Sequence, residues 1–215
     1  MTDSHKYTTY PVLEERINVY SHALGLVLSS LALVLLTRKA HGMLQVVSVL
    51  AFAAGLIVLY GASTLYHGTT DIARRARLRI VDHAMIYVLI AGTYTPFSLL
   101  VLKGTVSWLI FSAIWAMAAI GIIIKLSHTG RYDNISTAMY VFMGWVIVFA
   151  IKPLIENFST EGLAWLFAGG ISYTIGALFY SIKRMPFNHA SFHLFCLLGS
   201  SCHFVSIYYY VLTPG

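Results

Sequence analysis

Charge is what this sequence has least of. Only 10% of its 215 residues are Asp, Glu, Lys or Arg, against 58% hydrophobic residues, and the mean hydropathy is +0.76. A water-soluble domain of this size has too little interior to hide that much apolar surface, so a soluble globular fold is excluded and lipid is the main solvent. Cysteine is equally scarce, with Cys196 and Cys202 the only two. Lying six residues apart in one apolar run, they do not pair with each other and match no cysteine-based zinc spacing, so they read as packing residues. No linker, low-complexity tract or block of charge divides the chain, which reads as one domain. The polar first 16 residues lack the apolar stretch and small-residue cleavage site of a signal peptide, making the first apolar run the expected insertion signal.

What the sequence has instead is apolar runs about as long as a bilayer core is thick. They are Ile17 to Leu36, Met43 to Tyr66, Val81 to Leu102, Val106 to Lys125, Ile135 to Ile151, Leu163 to Ile182 and His189 to Leu212. Backbone groups find no water in lipid, so each run is expected to be helical. The fold class that follows is an all-α membrane protein, a seven-helix transmembrane bundle over residues 17–212 behind an N-terminal segment, 1–16. Ser21, Gly25 and Ser29 recur every four residues and predict a close helix contact in lipid.

Orientation follows from the basic residues. The N-terminal segment and the second, fourth and sixth loops hold Lys6, Arg16, Arg74, Arg75, Arg77, Arg79, Lys125, Arg131, Lys183 and Arg184, whereas the other side holds only Arg38, Lys39, Lys103 and Lys152. The positive-inside rule then puts the N-terminus in the cytoplasm and the C-terminus outside. Trp108, Trp165 and Tyr208 to Tyr210 fall near the outer interface, where amphipathic rings prefer to sit. The net charge of +6 is accounted for by these loops, with anionic headgroups as the expected neighbours of Arg74 to Arg79 and no nucleic acid.

Ionisable groups inside a membrane are costly and by default face the bundle interior with a task. Ser63 and His67 share a helix face at i, i+4, Asp82 opens the third run, and His189 and His193 open the seventh. The deduced topology brings all three loci to the cytoplasmic end. Two histidines at i, i+4 present both rings to one ion, and a third from another helix completes a tripod. Three histidines leave one tetrahedral position open, the mark of a catalytic rather than a structural zinc site. Pro186 and Asn188, a candidate N-cap, set the start of the seventh helix, where Cys196, Ser200 and His203 continue a polar stripe inward from His193.

The stretches STLYH at 63–67, DHAMIYVLIAGTYTPF at 82–97, NHASFH at 188–193 and SCHF at 201–204, with EERIN at 14–18 and the following SHALG, resemble the bacterial haemolysin III proteins. That family belongs with the progestin and adipoQ receptors, the adiponectin receptors among them, and is more distantly similar to alkaline ceramidases. The resemblance covers essentially the whole chain. It implies a multi-pass bacterial inner-membrane protein with zinc near the cytoplasmic face and a role in membrane homeostasis. His67, His189 and His193 match the zinc ligands, Asp82 the acidic residue holding the zinc-bound water, and Ser63 the serine one turn before the first histidine. His203 and His22 match histidines typical of the bacterial branch. The receptors' long N-terminal domain is absent, which removes hormone binding from consideration.

Each residue also has a plainer reading. His189 and His193 fit interfacial rings capping a helix, Asp82 fits a partner for Arg79, and Ser63 fits a hydroxyl bonded back to the carbonyl four residues earlier. His203 lies about 15 Å along its helix from His193, too far to share an ion, and reads as an interhelical hydrogen-bonding residue ahead of a proton relay. His22 fits a partner of the metal ligands or an interfacial ring. His83 is rotated about 100° from Asp82 and is expected to face away, while His5, His41 and His128 lie in loops or the tail and Asp133 fits a helix cap.

The function these readings support is zinc-dependent hydrolysis of an amide or ester bond in a membrane lipid. Ala190 stands where the HExxH helix of a metalloprotease has its Glu, so Asp82 becomes the expected base and Ser63 the oxyanion donor. The alternative is a non-catalytic, zinc-stabilised membrane sensor or regulator, with an ion-conducting or pore-forming protein a weaker one, because only the seventh run carries a polar stripe.

Overall fold

The fifth membrane-crossing segment is broken, and the break shows how the bundle handles backbone groups in lipid. Helix α5 (Asp133–Trp145) gives way to a tight 3₁₀ stretch, Val146–Ala150, before α6 (Ile151–Asn157) resumes the path. Pro153 has no N–H to offer Phe149 and its ring crowds that carbonyl, which forbids a regular helix through this turn. Tyr94 repairs the defect from a neighbouring helix. Its hydroxyl accepts from the Ile147 N–H at 2.9 Å and donates to the Gly144 carbonyl at 2.9 Å. Backbone groups freed in a membrane are tolerated only where such a partner reaches them.

The computed structural model describes residues 10–128 and 133–213, all helices and short connections. Lys6, His5 and Arg131 lie outside the described residues, as do the side chains of His128 and Asp133. Helices α1 (Val12–Lys39), α2 (Gly42–Gly68), α3 (Ile72–Pro96), α4 (Gly104–His128), α7 (Thr160–Ser181) and α8 (Asn188–Ser206) complete the order. Seven helical segments are long and apolar enough to cross a membrane. Helix α3 continues as a π-helical turn, Phe97–Val101, immediately after Pro96, and α8 does the same over Ile207–Val211. Asp71 caps α3 by accepting from the Arg74 N–H at 2.7 Å, and Ser159 caps α7 by accepting from Gly162 at 3.1 Å.

Two helices begin well before their apolar runs. Helix α1 starts at Val12 rather than Ile17, so Glu14 and Glu15 lie in its first turn. Helix α3 starts at Ile72 rather than Val81, which places Asp82 several turns inside its helix instead of at its opening. Arg79 is buried along with it.

Helix α1 packs between α2 and α8, α2 lies on α3, and α7 lies on α8, while α5 touches its neighbours over shorter stretches. The close-contact stripe on α1 is as the sequence predicts: Ser21, Gly25 and Ser29 are buried, and a Cβ on Gly25 would come within 2.7 Å of the Tyr60 ring. A Cβ on Gly92 would come within 2.5 Å of the Ala51 carbonyl oxygen, so α2 and α3 touch backbone to backbone there. Leucine, isoleucine and phenylalanine side chains at many other positions point outward, as a lipid-facing surface requires.

Candidate metal centre

Three histidines from two helices converge at the end of the bundle that carries most of the basic residues. His67 comes from the last turn of α2 and His189 and His193 from the first two turns of α8, and all three are buried. The Nε2 atom of His189 lies 3.0 Å from that of His67 and 3.0 Å from that of His193. Two imidazoles on one tetrahedral ion at about 2.0–2.1 Å would have nitrogens roughly 3.3 Å apart. The three ring nitrogens therefore stand close to a ligand spacing, and the group can hold a metal ion. Unpartnered buried atoms lie beside it. Nδ1 of His189 and Oγ of Ser63, which line one cavity, have no hydrogen-bond partner among the described residues. Orphaned polar atoms next to three converging imidazoles fit a site built for an ion and its water.

The start of α8 differs from its sequence reading. Asn188 does not cap the helix; its amide donates to the Tyr180 carbonyl at 3.1 Å. The preceding Phe187 takes a left-handed conformation, φ 55, unusual for a bulky residue. The cap comes from another helix, because Oε1 of Glu14 accepts from the backbone N–H of His189 at 3.1 Å and of Ala190 at 3.4 Å. A carboxylate at a helix N-terminus is also well placed against the helix dipole.

Around the tripod, α1 supplies more than the sequence reading found. Glu15 Oε2 lies 2.7 Å from Nδ1 of His67, and its other oxygen receives Arg75 and the Tyr10 N–H. Nδ1 of His193 lies 3.4 Å from the Ser21 hydroxyl and beside the Asn18 carbonyl. The Tyr10 ring stacks on His189, with centroids 4.5 Å apart, and covers the site from outside the spans. Burial pushes the Tyr10 phenol's pKa upward, so it covers the histidines as a neutral group. The signal for these residues in the sequence was a charged pair just before an apolar run, which also fits an ordinary helix start.

The inner side of the tripod opens on a cavity of about 140 Å³ within the bundle, lined by His22, Ser63, Asp82, His189 and His193 at one end and reaching Tyr94, Phe97 and His203. Most of its lining is apolar. Ser63 is not bonded back to the Leu59 carbonyl. Its hydroxyl falls short of hydrogen-bond geometry but interacts with the Asp82 carboxyl, on which His67 and Arg79 also act. Asp82 is fully inside the protein, facing the same space as the histidines.

The remaining histidines divide. His203 bonds across helices, its Nε2 lying 3.1 Å from the Leu166 carbonyl, and it is not part of the tripod. His22 is buried and stacked on His193 rather than at an interface. His83 was expected to face away from Asp82, yet it lines the same cavity, because the cavity wraps far enough around α3 to meet both residues. Lys125, counted above among the loop charges, is buried at 2% exposure and also lines the cavity. The two cysteines are free and buried.

With this arrangement established, comparison with known proteins gives the family. The family model described as Haemolysin-III related matches residues 10–204. The chain belongs to the haemolysin III family. It is 42% identical to Hemolysin-3 of Bacillus cereus over 99% of this chain and 98% of that protein. It is 41% identical to the Hemolysin-3 homolog of Bacillus subtilis (strain 168) over 94% of this chain and 96% of that one. More distant similarity, 29% identity over 96% of this chain and 87% of the relative, links it to the human Monocyte to macrophage differentiation factor. Every element that builds the centre, from Tyr10 to His203, falls within the haemolysin III match.

Proposed function

We propose that this haemolysin III protein is a zinc-dependent hydrolase of the bacterial plasma membrane, acting on an amide or ester bond of a membrane lipid. The observation that carries the reading is the shared space. Three imidazoles converge where a cavity with mostly apolar walls ends, and two of them, His189 and His193, line that end together with the buried Asp82 carboxyl and Ser63 hydroxyl.

His67, His189 and His193 would hold the ion through Nε2. A bound zinc would supply Lewis acidity and an activated water at neutral pH. Asp82 faces the cavity from a different helix and is the acceptor for the proton released as water attacks. Ser63, one turn from His67 and beside the Asp82 carboxyl, would turn its hydroxyl to the developing oxyanion. The apolar walls suit the chain of a lipid whose scissile bond lies at the histidine end. A metal serving only as a structural staple would not need an open cavity on its inner side, which is why catalysis is preferred to the sensor reading.

The test is metal analysis of purified protein, followed by incubation with labelled ceramide-like lipids with and without chelator. About one zinc per chain and chelator-sensitive release of a fatty acid are expected. Zinc without turnover of any amide or ester lipid contradicts the enzyme reading and favours a regulator.

A further inference from the structure

We propose that Glu15 is the positioning residue of the metal centre, fixing the His67 imidazole in the tautomer that leaves Nε2 free to bind an ion. The inference rests on the metal reading above and concerns a residue outside the tripod. An ionised carboxylate only accepts hydrogen bonds, so an oxygen 2.7 Å from Nδ1 of His67 requires the proton to be on Nδ1. The lone pair then sits on Nε2, the atom that faces His189. Metal-bound histidines are commonly held this way, with the second ring nitrogen donating to a carboxylate.

The carboxylate is itself held in place. Its Oε1 receives the Arg75 guanidinium and the Tyr10 N–H, which leaves Oε2 to His67. Arg75 is anchored in turn by its 3.2 Å bond to the Thr69 carbonyl, just beyond the end of α2, and by the Tyr66 ring, 4.8 Å from its guanidinium carbon. These contacts join α1, the end of α2 and the start of α3 around one imidazole. Glu14, the neighbouring acid, has a different task, because its oxygen caps the backbone of α8 and touches no ring nitrogen. Two adjacent glutamates therefore separate cleanly, one acting on a ligand's proton and the other on a helix end.

The experiment compares zinc affinity, by competition with a chelator of known strength, for the full-length wild type, Glu15→Ala, Glu15→Gln and Glu14→Gln in detergent. Thermal unfolding is followed in parallel in zinc and in excess chelator. Losing an outer partner of a ligand histidine weakens metal binding about 10- to 100-fold, and Glu15→Ala is expected in that range. Glu15→Gln keeps an acceptor oxygen without its charge and should fall between Glu15→Ala and wild type. Glu14→Gln, whose amide oxygen can still cap α8, should bind zinc within about twofold of wild type. The Glu15 variants should unfold like wild type in chelator and gain less from zinc. Wild-type affinity in both Glu15 variants overturns the inference alone. An equal drop in unfolding temperature with and without zinc marks Glu15 as merely structural and also overturns it. A wild-type chain that takes up no zinc overturns the metal reading itself.

Discussion

The imidazole of His22 lies flat on that of His193, with ring centroids 3.4 Å apart and planes 5° from parallel. Neither nitrogen of His22 has a hydrogen-bond partner among the described residues, so the ring acts here as a flat surface rather than a donor. His22→Phe keeps that surface and removes two unpaired buried nitrogens, a change that is nearly neutral or stabilising. Its zinc content is expected to equal that of wild type. His22→Lys places an uncompensated charge beside a cationic site, costing about 3–5 kcal/mol. That variant should lose zinc and unfold earlier, as read by metal analysis and thermal scanning.

Acid should strip the metal. Histidine coordinates only as the neutral imidazole, so protons and metal compete for the same nitrogens. Binding is fully present well above the ordinary imidazole pKa of about 6.5 and is lost as pH falls through the range where free ligands protonate. Equilibrium dialysis should show retention at about pH 7.5 and release below about pH 6, with a steeper fall than one displaced proton produces.

Asp82 and Ser63 should separate from the tripod in function. Asp82→Asn and Ser63→Ala leave the three Nε2 ligands intact, so both variants should keep zinc. If Asp82 takes the proton, its loss lowers turnover about 100- to 10,000-fold. Loss of an oxyanion donor costs about 100- to 1,000-fold. Histidine variants, by contrast, should lose metal and activity together.

The break in the fifth span depends on Tyr94. Tyr94→Phe leaves the Ile147 N–H and the Gly144 carbonyl without the partners that now serve them. A cost of about 1–3 kcal/mol is expected for each buried group left unpaired. Chemical unfolding of Tyr94→Phe beside wild type should show that loss.

Much of this was legible in the sequence because lipid imposes simple rules. The seven apolar runs correspond to seven helical segments, and the shared depth of His67, His189 and His193 corresponds to their convergence, with Asp82 on the adjoining cavity. Helix starts were harder to read. Glu14 and Arg79 are buried and Glu15 half-buried, all beyond the apolar runs, and hydropathy marks such positions as loop. Glu15 meets His67 52 residues away and Glu14 meets the start of α8 up to 176 away, so no local pattern reveals these contacts. Asn188 misled for a related reason: a good capping residue was displaced by a carboxylate from another helix. Tyr94 and Pro153 gave no sign of their relation, since a proline near a helix end and a tyrosine in an apolar run are each unremarkable alone.

The most direct test of the centre is X-ray absorption at the zinc edge on protein purified without added chelator. The tripod predicts nitrogen and oxygen neighbours alone at about 2.0–2.1 Å, with the outer scattering of three imidazoles, and loss of that signal in His67→Ala. A sulfur neighbour at about 2.3 Å, or fewer than one zinc per two chains in folded wild-type protein, would contradict it.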